Sequence, residues 1–238
     1  MEGENTQQTP AVIAPAQNYA IPFAIVIAGL AIAGAIYFSG EKGITPAQEV
    51  TSIPPVTKAD HILGDPNAKI IIVEYSDTEC PYCKTFHPTM QRIMSEYGKD
   101  SKVAWVYRQF PIASLHPKAH YESQATECAA KLGGNTKFWE YLDKVFELTP
   151  GNNRLDEAEL PKIAESVGLD VPAFNKCLTS GEMKAVVDAQ MAGGSKAGVT
   201  GTPYPIVLID KKVAGTIGGA LPYEDLKRSI DATLAEQK

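Results

Sequence analysis

The sequence IIIVEYSDTECPYC, residues 70–83, decides the fold. Its first four residues are apolar and β-branched, which predicts a buried strand. Polar residues then lead into Cys80-Pro81-Tyr82-Cys83, where Pro81 suits the first turn of a helix because its φ is fixed and it needs no hydrogen-bond acceptor. We therefore expect a central strand that ends just before Cys80 and a helix that begins there.

The residues after Cys83 support this helix. Apolar side chains recur near helical spacing at Phe86, Met90, Ile93, Met94 and Tyr97. Cys80 should then lie at the helix N-terminus, where the helix dipole and free N–H groups favour a thiolate. Cys83 should lie one turn deeper, close enough to form a disulfide with Cys80. The pattern predicts a dithiol redox centre at Cys80 and Cys83.

Two alternatives compete with a redox centre. The pair could be half of a zinc site, which needs two further ligands at suitable spacing. Cys128 and Cys177 stand alone in the sequence, and His87, one turn beyond Cys83, is the residue that could join. The pair could also be a purely structural disulfide at a strand–helix junction. The redox interpretation implies neither a metal nor a bound cofactor.

Length, charge and cysteine content limit the class of protein. The chain has 238 residues, enough for one domain with an appendage, and a formal net charge of −6. It has no basic block, which argues against a nucleic-acid partner. Its four cysteines fit two disulfides in an oxidising compartment.

The N-terminal quarter divides into three segments. Residues 1–20 are polar and rich in Pro, Gln and Ala, which predicts disorder. Residues 21–38 are apolar and uncharged and would span roughly 27 Å as a helix, close to the thickness of a bilayer core. We expect a retained transmembrane anchor. A cleaved signal peptide, which lacks its usual basic start here, and a buried core helix are the alternatives. Residues 39–60 are predicted to be a linker.

The folded body is predicted to span residues 61–238. A second strand is expected at 103–107, and from about 115 to 197 the apolar spacing becomes helical. The expected helices of this insert are 119–132, 138–148, 157–167 and 181–197. A β-hairpin formed by 206–209 and 213–217 follows, and a final helix covers 223–234.

This order of elements resembles a thioredoxin fold with the helical insertion of the DsbA-like thiol–disulfide oxidoreductases. The resemblance covers about residues 61–238 and depends on several motifs in sequence. These are Val73-Glu74-Tyr75 before the cysteine pair, Arg108-Gln109-Phe110-Pro111-Ile112 with His116-Pro117-Lys118-Ala119, Lys137-Phe138-Trp139, and Gly198-Val199-Thr200-Gly201-Thr202-Pro203. The implied fold class is α/β, a thioredoxin fold with an inserted all-helical subdomain, preceded by one transmembrane helix.

The resemblance also implies roles for residues outside the cysteine pair. Glu74, six residues before Cys80, would be a buried acid that relays a proton near the inner thiol. The alternative is a partly exposed carboxylate at a strand end. Thr202-Pro203 would be the cis-proline dipeptide that packs against the redox centre. Pro205 departs from the family pattern and is the competing position for the cis proline.

Other polar residues are expected to be structural. His87, His116 and His120 are interpreted as structural rather than catalytic. Tyr82 replaces the histidine found in the most oxidising members of the family. We therefore expect a thiolate pKa within the range of about 3.5 to 7.5 that is typical of such motifs, but not at its lower end.

The resemblance implies that Cys128 and Cys177 form a second, structural disulfide within the insert. Two separate buried thiols are the alternative. The implied activity is a membrane-anchored, extracytoplasmic oxidoreductase of bacterial type that introduces disulfides into reduced or unfolded exported proteins. A membrane oxidase of the DsbB or vitamin-K-epoxide-reductase type would reoxidise it. A reductase or isomerase using the same centre, and a non-catalytic tethered chaperone, remain the alternatives.

Overall fold

The computed structural model describes residues 44–46, 50 and 52–236. The segments predicted to be disordered (1–20) and membrane-spanning (21–38) lie outside the described residues. Within the described ranges, no helix combines the length and the apolar composition needed to cross a membrane.

Six strands of the described residues form one mixed sheet, with β3 near its centre. In chain order they are β1 (Ile44–Pro46), β2 (His61–Leu63), β3 (Ile70–Ser76), β4 (Val103–Gln109), β5 (Tyr204–Ile209) and β6 (Lys212–Ile217). Their spatial order is β1-β6-β5-β3-β4-β2. Strands β3 and β4 are parallel, and every other pair is antiparallel. All seven residues of β3 are buried, which explains why its sequence is nearly continuous in apolar residues.

In the part of the chain that the structure describes, six helices surround the sheet or form the insert. They are α1 (Pro81–Ile93), α2 (Ala119–Leu148), α3 (Glu159–Ser166), α4 (Val171–Ser180), α5 (Lys184–Lys196) and α6 (Tyr223–Glu236). A π-helical turn, Met94–Gly98, extends α1. Helix α2 is broken at Gly134, whose φ is 71° and ψ is −166°. The break coincides with the boundary predicted between the first two helices of the insert.

The inserted subdomain has its own apolar core, separate from the core between sheet and helices. Helices α1 and α6 pack on one face of the sheet. Phe86 of α1 and Ile230 of α6 belong to the same apolar cluster as Trp105 of β4. The insert surrounds a second cluster that includes Tyr141 and Phe174. These two cores confirm the predicted architecture of a sheet domain with a helical insertion.

Helix α4 adds to the four helices that were predicted for the insert. Pro172 suggested a break between helices, but in the structure it lies in the first turn of α4, where proline is well tolerated. The Asp170 side chain caps this turn by accepting a hydrogen bond from the Ala173 N–H at 2.7 Å. The proline therefore begins a helix here instead of separating two others.

Some residues of the predicted linker, 39–60, contact the sheet. Strand β1 lies within it and pairs with β6. The buried Arg108 binds residues 54–60 of this segment. Its guanidinium donates to the carbonyls of Pro54 at 3.0 Å and Pro55 at 3.2 Å and pairs with Asp60 at 2.8 Å. A buried guanidinium needs these acceptors, so they attach the segment to β4.

Candidate redox site

Cys80 occupies the N-cap of α1, at the end of the turn that follows β3. Its backbone is extended, with φ −73° and ψ 122°, and Pro81 begins the helix. The Cys80 carbonyl accepts the first hydrogen bond of the helix from the Lys84 N–H at 3.0 Å. The Cys80 thiol donates to the Thr202 carbonyl, with 3.4 Å between the two atoms. This position places the sulfur at the positive end of the helix dipole, as the sequence predicted.

The two thiols have opposite ionisation tendencies. The hydrogen bond from the Cys83 thiol, together with backbone N–H groups of Cys83 and Tyr82, lowers the pKa of Cys80 to about 6, although burial acts against this. Burial raises the pKa of Cys83 well above its usual value, and the neighbouring Cys80 adds to the rise. Cys83 is completely buried, whereas Cys80 retains an exposed fraction of 6 %. Of the two thiols, Cys80 is thus the one that ionises more readily and is more exposed, and Cys83 is shielded from solvent.

Alkylation should distinguish the two thiols directly. We expect limiting iodoacetamide to modify Cys80 before Cys83 in the reduced protein, with a midpoint near pH 6, because only the thiolate reacts. In denaturant the midpoint should return to about 8.5. Mass mapping of the adduct after a pH series measures both. Preferential labelling of Cys83, or a native midpoint near 8.5 at Cys80, would contradict the assignment.

Glu74 lies on the central strand β3 and is buried, with 1 % of its surface exposed. The alternative of a partly exposed carboxylate at a strand end is therefore wrong. One of its oxygens accepts a hydrogen bond from Trp105 Nε1 at 2.9 Å. Burial raises the pKa of Glu74 to about 8 despite hydrogen bonds from Ser76 and Trp105. Its charge acts on both active-site thiols. A largely neutral carboxyl here can hold a proton near Cys83 at pH 7, which is the role that the family resemblance implied.

The cis peptide bond lies between Thr202 and Pro203. Pro205 instead belongs to β5, where it is opposite Glu74 in the register with β3. The cis proline is therefore Pro203, as the resemblance implied, and not the competing Pro205. The structure brings Cys80, Cys83, Glu74, Thr202 and Pro203 together at one end of the sheet.

The three histidines that were interpreted as structural, His87, His116 and His120, each have a carboxylate partner. His87 lies 2.7 Å from Asp143, and its ring packs at a tilt against the rings of Trp105 and Phe146. His116 lies 2.9 Å from Asp77, and His120 lies 2.9 Å from Asp188. Each pair connects separate elements of the fold, which agrees with the structural interpretation.

No metal-binding arrangement is found in the part of the chain that the structure describes, where no group of three His, Cys, Asp or Glu side chains could hold an ion. His87, the additional ligand considered for a zinc site, is directed at Asp143 instead.

Cys128 and Cys177 form a disulfide, with their Cα atoms 5.9 Å apart. The bond joins α2 to α4, and both residues are buried in the core of the insert. It lies in a different apolar cluster from Cys80 and Cys83, which belong to the core of the sheet domain. The two cysteine pairs thus serve separate parts of the molecule.

A group of buried acids next to the redox pair was missed by the sequence analysis. Asp77 accepts hydrogen bonds from the Glu79 N–H at 2.9 Å, the Ile112 N–H at 2.8 Å and His116 Nδ1 at 2.9 Å. Glu79, directly before Cys80, is also completely buried. Residues 77–79 were interpreted only as polar, and their polarity gave no sign of burial. The sequence feature that could have indicated this group was Glu79, an acidic residue immediately before Cys80.

Comparison with known proteins agrees with this geometry. The family model described as thioredoxin matches residues 56–232. The oxidised crystal structure of BdbD from Bacillus subtilis has a TM-score of 0.67 with 21 % identity, covering 79 % of this chain and 100 % of that one. For Pseudomonas aeruginosa DsbA2 the TM-score is 0.59 with 26 % identity, covering 76 % and 96 %.

Curated sequence relatives match over a shorter stretch. A protein named Na(+)/H(+) antiporter NhaA 3 from Salinispora tropica is 30 % identical over 151 residues, which is 63 % of this chain and 22 % of that protein. The chain thus spans about a fifth of the length of the curated relatives it matches. The family model covers most of this chain and agrees with the fold. The chain therefore belongs to the thioredoxin family, and its fold is that of the DsbA-type thiol–disulfide oxidoreductases.

Proposed function

We propose that this protein introduces disulfides into reduced, exported proteins through the Cys80–Cys83 pair. The observation that carries this proposal is the asymmetry of the two thiols. The pKa of Cys80 is lowered to about 6 at a helix N-terminus, whereas burial raises the pKa of Cys83. A stable Cys80 thiolate favours the dithiol form, and a centre whose reduced form is stabilised is an oxidant.

The first step is attack by a substrate thiolate on Cys80 Sγ of the oxidised protein. The new S–S bond joins the substrate to Cys80, and the Cys80–Cys83 bond breaks, so that Cys83 leaves with the electron pair. Cys83 then needs a proton because burial disfavours its thiolate. Glu74, whose pKa is raised to about 8, can supply this proton at pH 7.

The second step releases the product. A second substrate thiolate attacks the substrate sulfur of the mixed disulfide, and Cys80 leaves as a thiolate. A leaving thiol of low pKa departs faster, so the lowered pKa of Cys80 assists this step. The substrate loses two electrons and gains a disulfide, and the protein becomes a dithiol. An electron acceptor must then reoxidise it, which we propose is a membrane oxidase of the DsbB or vitamin-K-epoxide-reductase type.

The proposed location is the extracytoplasmic side of the cell membrane, with residues 21–38 as a single-pass anchor. The Cys128–Cys177 disulfide supports an oxidising compartment independently of the redox pair. The apolar character of residues 21–38 supports the anchor.

A peptide with two thiols tests the proposed direction of electron flow. One equivalent of the oxidised protein should convert about one equivalent of peptide to its cyclic disulfide, since one dithiol exchanges two electrons with one disulfide. A protein that reduces insulin readily but leaves the peptide reduced would instead be the alternative reductase. Repair of scrambled disulfides without net oxidation would indicate an isomerase. Binding of unfolded chains without any thiol exchange would indicate a tethered chaperone.

A further inference from the structure

Two buried carboxyl groups, those of Glu79 and Glu122, lie next to the turn that carries Cys80. Glu79 precedes Cys80 in the chain, and Glu122 lies in the first part of α2. Both side chains belong to residues with no exposed surface. The Glu79 carboxylate accepts the N–H of Asn153 at 2.6 Å and the N–H of Leu155 at 3.1 Å. Backbone N–H groups are strong hydrogen-bond donors to a carboxylate side chain.

Glu122 lacks a comparable set of donors. Its Oε2 accepts the Thr78 hydroxyl at 2.7 Å. Its Oε1 is buried and meets no hydrogen-bond donor among the described residues. Burial is the main cause that opposes a negative charge on Glu122, and its neighbours Glu79 and Asp77 add to this, so the pKa of Glu122 is raised to about 9. A proton on Glu122 that is donated to Glu79 satisfies both side chains.

The groups around this pair do not neutralise it. Asp77 has its own donors, including His116. Tyr141, from the second half of α2, is buried. Burial raises the pKa of Tyr141, and a negative charge on Glu122 raises it further. The Lys118 ammonium donates to the Leu155 carbonyl at 2.9 Å. Among the described residues, neither Glu79 nor Glu122 forms an ion pair with a lysine, arginine or histidine. A shared proton is therefore the remaining way to reduce the repulsion.

The pair lies at the attachment point of loop 149–155. The Glu79 carbonyl accepts the Asn152 N–H at 2.8 Å, in addition to the two bonds to the Glu79 side chain. Gly151 is so close to the helix start that an added Cβ would lie 3.3 Å from the Glu79 carbonyl oxygen and 3.6 Å from Pro81 Cγ. The Lys84 ammonium also bonds to the Thr149 carbonyl. Loop 149–155 is thus fastened against the first turn of the helix that carries Cys80 and Cys83.

We propose that Glu79 and Glu122 form a singly protonated carboxyl pair that positions loop 149–155 and, through it, the redox turn at Cys80. Glu79 binds the loop, and the proton on Glu122 keeps Glu79 in place. Loss of that proton would set two negative charges side by side and release the loop. The link to Cys80 rests on the proposed function, whereas the shared proton does not.

Replacing Glu122 by glutamine tests the shared proton. The folded protein keeps Glu122 protonated up to about pH 9, whereas the unfolded chain ionises it above about pH 4.3. The stability that this proton contributes is therefore present at low pH and lost as the pH rises through that interval. Glutamine donates to Glu79 without titrating. We expect the denaturation midpoint of E122Q to rise relative to the parent between pH 5 and pH 9.

Glu165→Gln is the matched control, because Glu165 is an exposed glutamate on α3. The difference between its midpoint and that of the parent should stay constant over the same pH interval. A constant difference for E122Q as well would show that Glu122 is ionised in the folded protein and would overturn the pair.

Replacing Glu79 by glutamine tests the positioning role. Glutamine offers one acceptor oxygen to the two N–H groups of Asn153 and Leu155, so one of them loses its partner. We expect faster amide exchange in loop 149–155 and a rise of the Cys80 alkylation midpoint towards the free-cysteine value of about 8.5. E122Q should preserve both values. Unchanged exchange and an unchanged midpoint in E79Q would overturn the proposal. Neither measurement uses turnover, so a failure of the proposed oxidase activity remains distinguishable.

Discussion

Replacing Cys80 by serine is expected to reduce oxidation of a two-thiol peptide to the uncatalysed rate, a loss on the order of a thousandfold or more. A hydroxyl cannot form the S–S bond that joins substrate and protein. The lowered pKa of Cys80 and the complete burial of Cys83 also mean that Cys83 cannot replace it. Single-turnover mixing of each oxidised protein with the peptide, followed by thiol counting, measures the effect.

Cys83→Ser should behave differently, although it also stops turnover. When this variant meets a disulfide that joins two separate one-cysteine peptides, the Cys80 thiolate attacks the sulfur of one peptide and the other peptide leaves as a thiolate. The mixed disulfide then persists, because no neighbouring thiol resolves it. Mass spectrometry should find one peptide attached at Cys80. A mixed disulfide that accumulates in Cys80→Ser and not in Cys83→Ser would reverse the two roles.

Removal of the Cys128–Cys177 disulfide is expected to have the largest effect on stability. The two residues are 49 positions apart in the sequence, and the chain-entropy model gives about 4 kcal/mol for a loop of this length. That is a large part of a typical domain stability of about 5–15 kcal/mol. For a domain of this size it corresponds to a fall in melting temperature of about 10 °C. Calorimetry of Cys128→Ala/Cys177→Ala under non-reducing conditions measures the fall.

The same double variant provides the control for specificity. Its sulfur atoms lie in the core of the insert and not in the core that holds Cys80 and Cys83. We therefore expect peptide oxidation at 25 °C to match that of the parent protein. Unchanged melting would contradict a stabilising role for the bond, and lost oxidation in a folded variant would mean that the two cysteine pairs are not independent.

The sequence predicts the centre of the fold well because the central elements are specified locally. Strand β3 is a continuous apolar run, and α1 follows with Pro81 in its first turn and apolar residues at helical spacing. Strands β1 and β2, of three residues each, carry no comparable pattern. They are defined by pairing with β6 and β4, which are distant in the chain, so their existence depends on the assembled sheet.

The candidate site likewise contains residues that local sequence motifs predict and residues whose environment depends on long-range contacts. The cysteine pair, Glu74 and Thr202-Pro203 are recognisable from motifs and from their order along the chain. The burial of Glu79 is not, because its hydrogen-bond donors come from Asn153 and Leu155, more than seventy positions later. The partnership of Trp105 with Glu74 likewise depends on how β4 lies beside β3. Long-range contacts of this kind convert acidic residues that look exposed into buried ones.

The reduction potential of the Cys80–Cys83 pair tests most directly whether this protein is an oxidant. Its lowered thiolate pKa stabilises the reduced folded form, an effect fully present above the unfolded pKa and lost as the pH falls through about 6. Equilibration with glutathione buffers at pH 7, followed by acid quenching and thiol alkylation, gives the potential. We predict a value less negative than about −200 mV, in the range of proteins that oxidise others. A value near −270 mV, like that of thioredoxin, would contradict the proposal and indicate a reductase.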